Sequence, residues 1–247
     1  MNNKIPKIAI IGYGAMGKEV EATAKEKGFQ ITGIYEIDNP LSKVTDFDFD
    51  VALDFSSPES VLENIKILAE NKKDIVIGTT GWYDKFDEVR NIVDKANIGA
   101  VWGSNFSIGM QLYLNIIQHV ALLIKKIDTF DIGIEEIHHK HKKDFPSGTS
   151  INVANKFLKE LFRYNSYTSD PAEAIADNKK IPISSLRTGE IVGIHKVLLD
   201  SEFETLELSH IAKNRRGFAV GALEAARWIY NRTGLYGFEE VVSNFWT

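Results

Sequence analysis

The chain of 247 residues is 44% hydrophobic and 26% charged, carries a formal net charge of -5 and holds no cysteine. This length and apolar content support one large core or two modest ones and exclude disordered, collagen-like and small disulfide-stapled classes. Without thiols there is no cysteine nucleophile, thiolate-ligated zinc or cysteine-held iron–sulfur cluster. An acidic pI near 5.7 argues against a nucleic-acid partner. No N-terminal stretch reads as a signal peptide, and the longest apolar run, residues 120–124, is too short to cross a bilayer. A soluble cytoplasmic protein with no membrane partner is expected.

Residues 7–11, 30–35, 51–55, 74–78 and 100–102 are strand-like runs alternating with helical patterns. That alternation predicts parallel βαβ units and an α/β fold with a Rossmann-type doubly wound parallel sheet. Ser57-Pro58-Glu59 has the form of a helix start, with Val61, Ile65 and Leu68 falling on one face behind it. After Asn105 the texture changes: a helix is predicted over 108–124, a strand over 129–137 and a helix over 149–164. Residues 165–184, polar and holding Pro171 and Pro182, read as a surface loop. Strands over 191–199 and 205–211 and a helix over 219–230 complete the chain. The order predicts a dinucleotide-binding domain of residues 1–106 plus 217–247 and an inserted α+β domain over 107–216, with the last helix returning to the first domain.

Gly12-Tyr13-Gly14-Ala15-Met16-Gly17 follows the first strand and opens a helix. In that context the glycines allow a tight turn, close approach to a pyrophosphate and close helix–strand packing, with the phosphates on the helix N-terminus. An ordinary strand-to-helix turn is the alternative. Glu36 ends the second strand about 20 residues beyond the loop, where an acid binds the adenosine ribose. Its charge would repel a 2′-phosphate, and Ile37, Asp38 and Asn39 supply no offsetting cation, so NADH is expected over NADPH, which remains possible. The alternative is a solvated acid at a strand end. Gly78-Thr79-Thr80-Gly81 and Gly103-Ser104-Asn105-Phe106 fall at the carboxyl ends of the fourth and fifth strands, where the nicotinamide half of a cofactor would lie. Each is also readable as a plain turn.

Three of the six histidines and three lysines fall in the segment His138-His139-Lys140-His141-Lys142-Lys143, followed by Asp144-Phe145-Pro146-Ser147-Gly148-Thr149. A metal site would pair His139 with His141, but the flanking lysines repel a divalent ion, so no metal is expected. A solvated basic loop is the bland reading. The third is an anion-binding catalytic site: histidine can pass a proton at neutral pH, lysine supplies positive charge, and the hydroxyls and free N–H groups of a helix start at 147–149 favour a carboxylate.

These residues resemble the 4-hydroxy-tetrahydrodipicolinate (dihydrodipicolinate) reductase family of lysine and diaminopimelate biosynthesis. The likeness extends through Asp54-Phe55-Ser56, Asn105-Phe106-Ser107, Gly189-Glu190-Ile191-Val192-Gly193 and residues 212–228. The resemblance implies an oxidoreductase that reduces a cyclic dicarboxylate with NAD(P)H, releasing the 4-hydroxyl as water. It implies His138 as proton donor and acceptor, Lys142 as proton donor or charge stabiliser, and substrate contacts from His139, Ser147, Gly148 and Thr149. Gly12 to Gly17, Glu36, Gly78, Thr79, Thr80, Gly103, Ser104, Asn105 and Phe106 would line the cofactor site. The inserted domain would then bind substrate and build a homotetramer. Arg215 is a further candidate anion contact, read near the end of the inserted domain. The chain departs from the family at Ala15 and Ile37, where arginines are usual, and at Phe145, where alanine is expected. Both missing arginines agree with the NADH reading. The alternatives are another reductase of this plan acting on an amino or imino acid, and a dinucleotide-sensing regulator.

Overall fold

The strand β1 (Ile8–Ile11) is buried at every position, which only a sheet covered on both faces allows. The computed structural model describes residues 4–245. Beyond β1 follow α1 (Ala15–Glu26), β2 (Ile31–Tyr35), β3 (Val51–Asp54), α2 (Val61–Glu70), β4 (Asp74–Ile77), α3 (Phe86–Ala96) and β5 (Gly99–Trp102). Next come α4 (Ile108–Leu123), β6 (Asp131–His138), α5 (Gly148–Glu160), β7 (Ser166–Thr168), α6 (Pro171–Ala176), β8 (Lys180–Arg187), β9 (Gly193–Asp200) and β10 (Thr205–Ala212). The chain closes with α7 (Arg216–Ile229), β11 (Gly234–Gly237) and α8 (Phe238–Ser243). Residues up to 108 and from 215 onward form one unit; residues 109–214 form the other.

The first unit holds a parallel sheet in the order β11-β5-β4-β3-β1-β2. Alternate residues of β1 feed two cores. Ile8 and Ile10 pack with Val20 and Ala24 of α1 and Ala222, Leu223 and Ala226 of α7. Ala9 and Ile11 pack with Val61, Ile65 and Leu68 of α2 and Val89 and Val93 of α3. The last long helix thus returns to the first sheet. Neither β11, reading Gly-Leu-Tyr-Gly, nor α8 is marked by local pattern; β11 exists because β5 offers it an unpaired edge.

The second unit is a mixed sheet, β10-β9-β6-β8-β7, whose inner face packs on α4 and α5 through Ile132, Ile134, Val197 and Leu199 against Tyr113, Ile117, Val153 and Phe157. Residues 165–184 are not a loop. They contain β7, α6 and the start of β8, because Ile181 and Ile183 alternate into that core. Asp170 caps α6 by accepting from Ala172 N at 2.8 Å, with Pro171 at its first turn. Pro182 is tolerated because it stands opposite the short edge strand β7, one residue before the β6 ladder begins. The helix expected to reach 164 ends at Glu160. Residues 108–126 form one helical stretch of mean hydropathy 1.2, long and apolar enough to cross a bilayer by length and composition. The short run at 120–124 understated that length. One face, with Met110, Tyr113, Leu114, Ile117 and Ala121, is core of the second unit.

Close approach of α7 depends on Gly221, where an added Cβ would stand 1.8 Å from the Phe106 carbonyl oxygen. Gly221→Ala is expected to destabilise the first unit by about 1–3 kcal/mol, seen as a lower urea midpoint.

Candidate active site

In the first unit the strand order reverses between β1 and β3, so their carboxyl ends open a crevice. A cavity of about 560 Å³ lies there, lined by Gly12, Tyr13 and Gly14 of the glycine loop, Glu36, Ile37 and Asp38 after β2, and Ser56, Ser57 and Ser60 after β3. Gly12 has φ +85°, and an added Cβ would stand 2.4 Å from the Phe55 carbonyl oxygen; one on Gly17 would stand 2.2 Å from the Gly12 carbonyl oxygen. Gly14 has open space where a side chain would be. The helix α1 begins without a side-chain cap or an acid in its first turn, so its N-terminal N–H groups are left for an anion. This cradle fits a dinucleotide pyrophosphate. Glu36 and Asp38 are the acidic side chains of the cavity lining, with no lysine or arginine among the lining residues.

Ala15, Met16 and Gly17 belong to α1 behind the cradle. Gly78, Thr79, Thr80 and Gly103 to Phe106 lie outside the lining of this cavity. Thr79 donates its hydroxyl at 2.7 Å to Asp54 Oδ1, which also accepts from Ser56 N at 2.9 Å and Ser56 Oγ at 2.6 Å. Asn64 donates to Asp54 Oδ2 at 2.9 Å. The fully buried Asp54 therefore ties the β3 and β4 loops to α2. Phe106 is core, its ring 4.6 Å from that of Phe238, and Asn105 Oδ1 accepts from Ser107 N at 2.8 Å. Ser104 is exposed.

In the second unit the site grows from a change of chemistry along one sheet face. Core-facing positions of β6 read Ile132, Ile134, Glu136, His138; those of β9 read Leu199, Val197, His195, Gly193; those of β8 read Ile181, Ile183, Ser185, Arg187. Register places Glu136 between His195 and Ser185, and His138 opposite Arg187. The period of two thus gathers one carboxylate, two imidazoles and a guanidinium at the end of a hydrophobic stripe.

Glu136, wholly buried, lies 2.6 Å by Oε2 from His138 Nδ1, while its Oε1 accepts from an Arg187 terminal nitrogen at 2.8 Å and from Ser147 N at 3.0 Å. Burial works to raise this carboxyl, but hydrogen bonds from His138 and Arg187 foremost outweigh it and hold it well below the usual range. That contact holds the His138 ring by its Nδ1 side and leaves Nε2 at the opposite edge. That Nε2 lies 3.1 Å from where a Cβ on Gly193 would be, so glycine there keeps the ring's working edge open. His195 stands edge-on to His138 with ring centres 5.0 Å apart, and its Nε2 is 3.3 Å from Ser147 Oγ. Burial first, then the neighbouring His138, pushes His195 down to about 3, so it is neutral. Glu136, His138 and His195 bring three donor atoms within 4.8 Å of one another, the makings of a metal site. Arg187 already holds the carboxylate, and a fixed cation there opposes a divalent ion; the arrangement suits proton sharing.

The segment after β6 loops out to α5. Lys142 pairs with Asp144 at 2.8 Å; burial works to raise the Asp144 carboxyl, while Lys142 foremost and the Gly148 N–H hold it below its usual range. Ser147 is buried and caps α5, accepting from Ser150 N at 3.2 Å, so its hydroxyl and N–H are engaged inside the protein. Gly148, exposed and with open space at its Cβ position, and Thr149 begin the helix. The His139 ring lies 6.2 Å from that of His141. Arg215, read from the sequence as near the end of the inserted domain, belongs to the first unit, exposed, just before α7. Sequence reasoning passed over Glu136, Arg187 and His195. The signal that marks them is a charged or imidazole residue in the core phase of a strand.

Family models describing the N-terminal and C-terminal parts of dihydrodipicolinate reductase match residues 6–106 and 109–242. The chain is 34% identical over 239 residues to the 4-hydroxy-tetrahydrodipicolinate reductase of Christiangramia forsetii, covering 96% of this chain and 98% of that one. It is 38% identical over 204 residues to the enzyme of the same name from Buchnera aphidicola subsp. Schizaphis graminum, covering 80% and 73%. Among solved structures, the dipicolinate-bound dihydrodipicolinate reductase of Paenisporosarcina sp. TG-14 matches with a TM-score of 0.74 at 24% identity, covering 96% and 100%. An amine dehydrogenase from Mycobacterium smegmatis shares the fold with a TM-score of 0.59 at 13% identity, covering 96% of each chain.

His195 titrates near 6.5 when unfolded and near 3 when folded. Between those values the unfolded state binds the extra proton, so stability falls as pH drops through that window. Replacing His195 by Gln should flatten the fall between pH 6 and 4 by about 1.4 kcal/mol per pH unit, measured by urea unfolding of both proteins at each pH.

Proposed function

The chain belongs to the dihydrodipicolinate reductase family, and from that membership we propose that it reduces 4-hydroxy-tetrahydrodipicolinate to tetrahydrodipicolinate in lysine and diaminopimelate biosynthesis, with NADH preferred over NADPH. The observation that carries the activity is the match of both halves, with a relative aligned over nearly its whole length.

A reduced nicotinamide dinucleotide supplies the hydride. The first unit's part is to hold that group: α1 presents its free N–H groups to the pyrophosphate, and Glu36 accepts from the adenosine ribose hydroxyls. NADH preference is supported by the cavity lining, where Glu36 and Asp38 stand with no lysine or arginine to neutralise a 2′-phosphate. We assign the backbone of Gly78 to Thr80 and Gly103 to Asn105 to the nicotinamide half.

The second unit's part is acid and anion chemistry on the dicarboxylate. His138 donates and accepts the proton through Nε2 while Glu136 holds Nδ1, and Lys142 stabilises charge and helps protonate the departing hydroxyl as water. The Gly148 and Thr149 N–H groups at the start of α5, with His139, take the carboxylates. Support comes from Asp144: its carboxylate pairs with Lys142 at 2.8 Å, one of the donors a substrate carboxylate needs. Ser147 acts by capping the helix. Arg215 is kept as an anion contact on charge alone. A cytoplasmic homotetramer is part of the same proposal, and the exposed Leu206 on the edge strand β10, with the exposed Phe203 in the turn before it, supports a protein-covered surface there.

The direct assay follows NADH or NADPH absorbance with substrate made in situ from pyruvate and aspartate semialdehyde by the preceding synthase. Turnover with both cofactors and a higher kcat/KM with NADH is expected; no oxidation of either would refute the activity. His138→Ala and Lys142→Ala should each lower kcat by about 10²–10⁴-fold with NADH affinity unchanged; wild-type kcat would remove their roles. Glu36→Ala combined with Ile37→Arg should invert the cofactor preference, read as the ratio of the two kcat/KM values.

A further inference from the structure

Arg187 ends β8 opposite His138, with its side chain only 14% exposed, and no step above uses it. One terminal nitrogen donates to Glu136 Oε1 at 2.8 Å and to the Asp144 carbonyl at 2.6 Å; the other donates to the Leu186 carbonyl at 2.9 Å. The guanidinium lies 5.1 Å from the centre of the Phe145 ring. Ser147 N, first of the helix start, donates to the same Glu136 oxygen. One side chain therefore reaches the carboxylate that sets His138 and two consecutive residues of the loop carrying Lys142. The Lys142–Asp144 pair within the loop is partly solvent-exposed, and such pairs hold weakly.

We propose that Arg187 is a positioning residue that locks the acid–base histidine and the carboxylate-binding loop into one geometry, with Phe145 as the lid over its guanidinium. The proposal rests on the roles assigned to His138 and Lys142. Lysine is no equivalent: its ammonium is a compact point charge with no plane to lay on the Phe145 ring and no second terminal nitrogen for the Leu186 carbonyl. Phe145 gains a reason here. At 58% exposed it is no core residue, but its face lies over the guanidinium, and excluding water strengthens the Arg187–Glu136 contact.

The test uses the full chain with Arg187→Lys, Arg187→Ala and Phe145→Ala. Arg187→Lys should lower kcat/KM for the dicarboxylate by at least about tenfold, leaving the NADH dissociation constant from fluorescence titration within about twofold. Phe145→Ala should shift the same parameter in the same direction by less. Millimolar guanidinium should partly restore Arg187→Ala where equal sodium chloride does not. The ¹⁵N signals of His138, assigned by their loss in His138→Gln, should pass from a single Nδ1–H tautomer in the wild type to a mixture in Arg187→Lys. Wild-type kinetics and tautomer in Arg187→Lys would overturn the proposal, as would a matching loss of NADH affinity, which marks general damage. If the wild type binds NADH but turns over no dicarboxylate, the assigned reaction fails, and the tautomer readout alone then decides for or against Arg187.

Discussion

The second unit is organised around one buried negative charge, the Glu136 carboxylate. A carboxylate removed from water survives only with partners that return the lost solvation, and here three elements supply them: β6 through His138, β8 through Arg187, and the start of α5 through Ser147 N. Each partner is fixed by satisfying the same acceptor. Removing one member of such a buried set costs about 3–5 kcal/mol, so the histidine's tautomer, the arginine's fork and the entry of α5 are set together. His195 fits beside this cluster because burial keeps it neutral; an imidazolium there would be a buried cation with no carboxylate of its own to meet it.

The first unit uses a related device without a cation. Asp54, last residue of β3, is fully buried and accepts from Ser56, Thr79 and Asn64. It binds two loops and a helix at the strand ends where the sheet order reverses. In both units the strand is apolar up to its carboxyl end and then places one acid in the core, so that the loops beyond must bring donors to it. Loop geometry, the least constrained part of an α/β unit, becomes a consequence of electrostatic satisfaction.

This division accounts for what the sequence made legible. The parallel sheet is announced by Ile-Ala-Ile-Ile and Val-Ala-Leu-Asp, because strands buried on both faces need apolar residues throughout. The glycine loop is legible because backbone sterics, not side chains, demand Gly12 and Gly17. The His/Lys cluster stands out by composition. Glu136 was hidden beside Glu135, since only the phase of β6 separates a buried acid from an exposed one, and that phase becomes visible once Ile132 and Ile134 are known to face inward. Arg187 and His195 lie far along the chain from His138 and join it through strand register alone. Residues 165–184 misled because their strands take definition from neighbours: β7 has three residues, and β8 opens with a proline-bearing run whose apolar phase is only Ile181 and Ile183.

The two units also meet anionic ligands by different physics. The crevice of the first offers backbone N–H groups and a helix dipole, with Glu36 and Asp38 also in its lining, donors that suit an anion through short directional bonds. The loop of the second offers lysine, histidine and a helix start, which attract carboxylates over a longer range but discriminate less by shape. A site built from long cationic side chains therefore needs its geometry imposed from outside the contact. The inward side of that loop does so, anchored to Glu136 through Ser147 N and the Arg187 guanidinium.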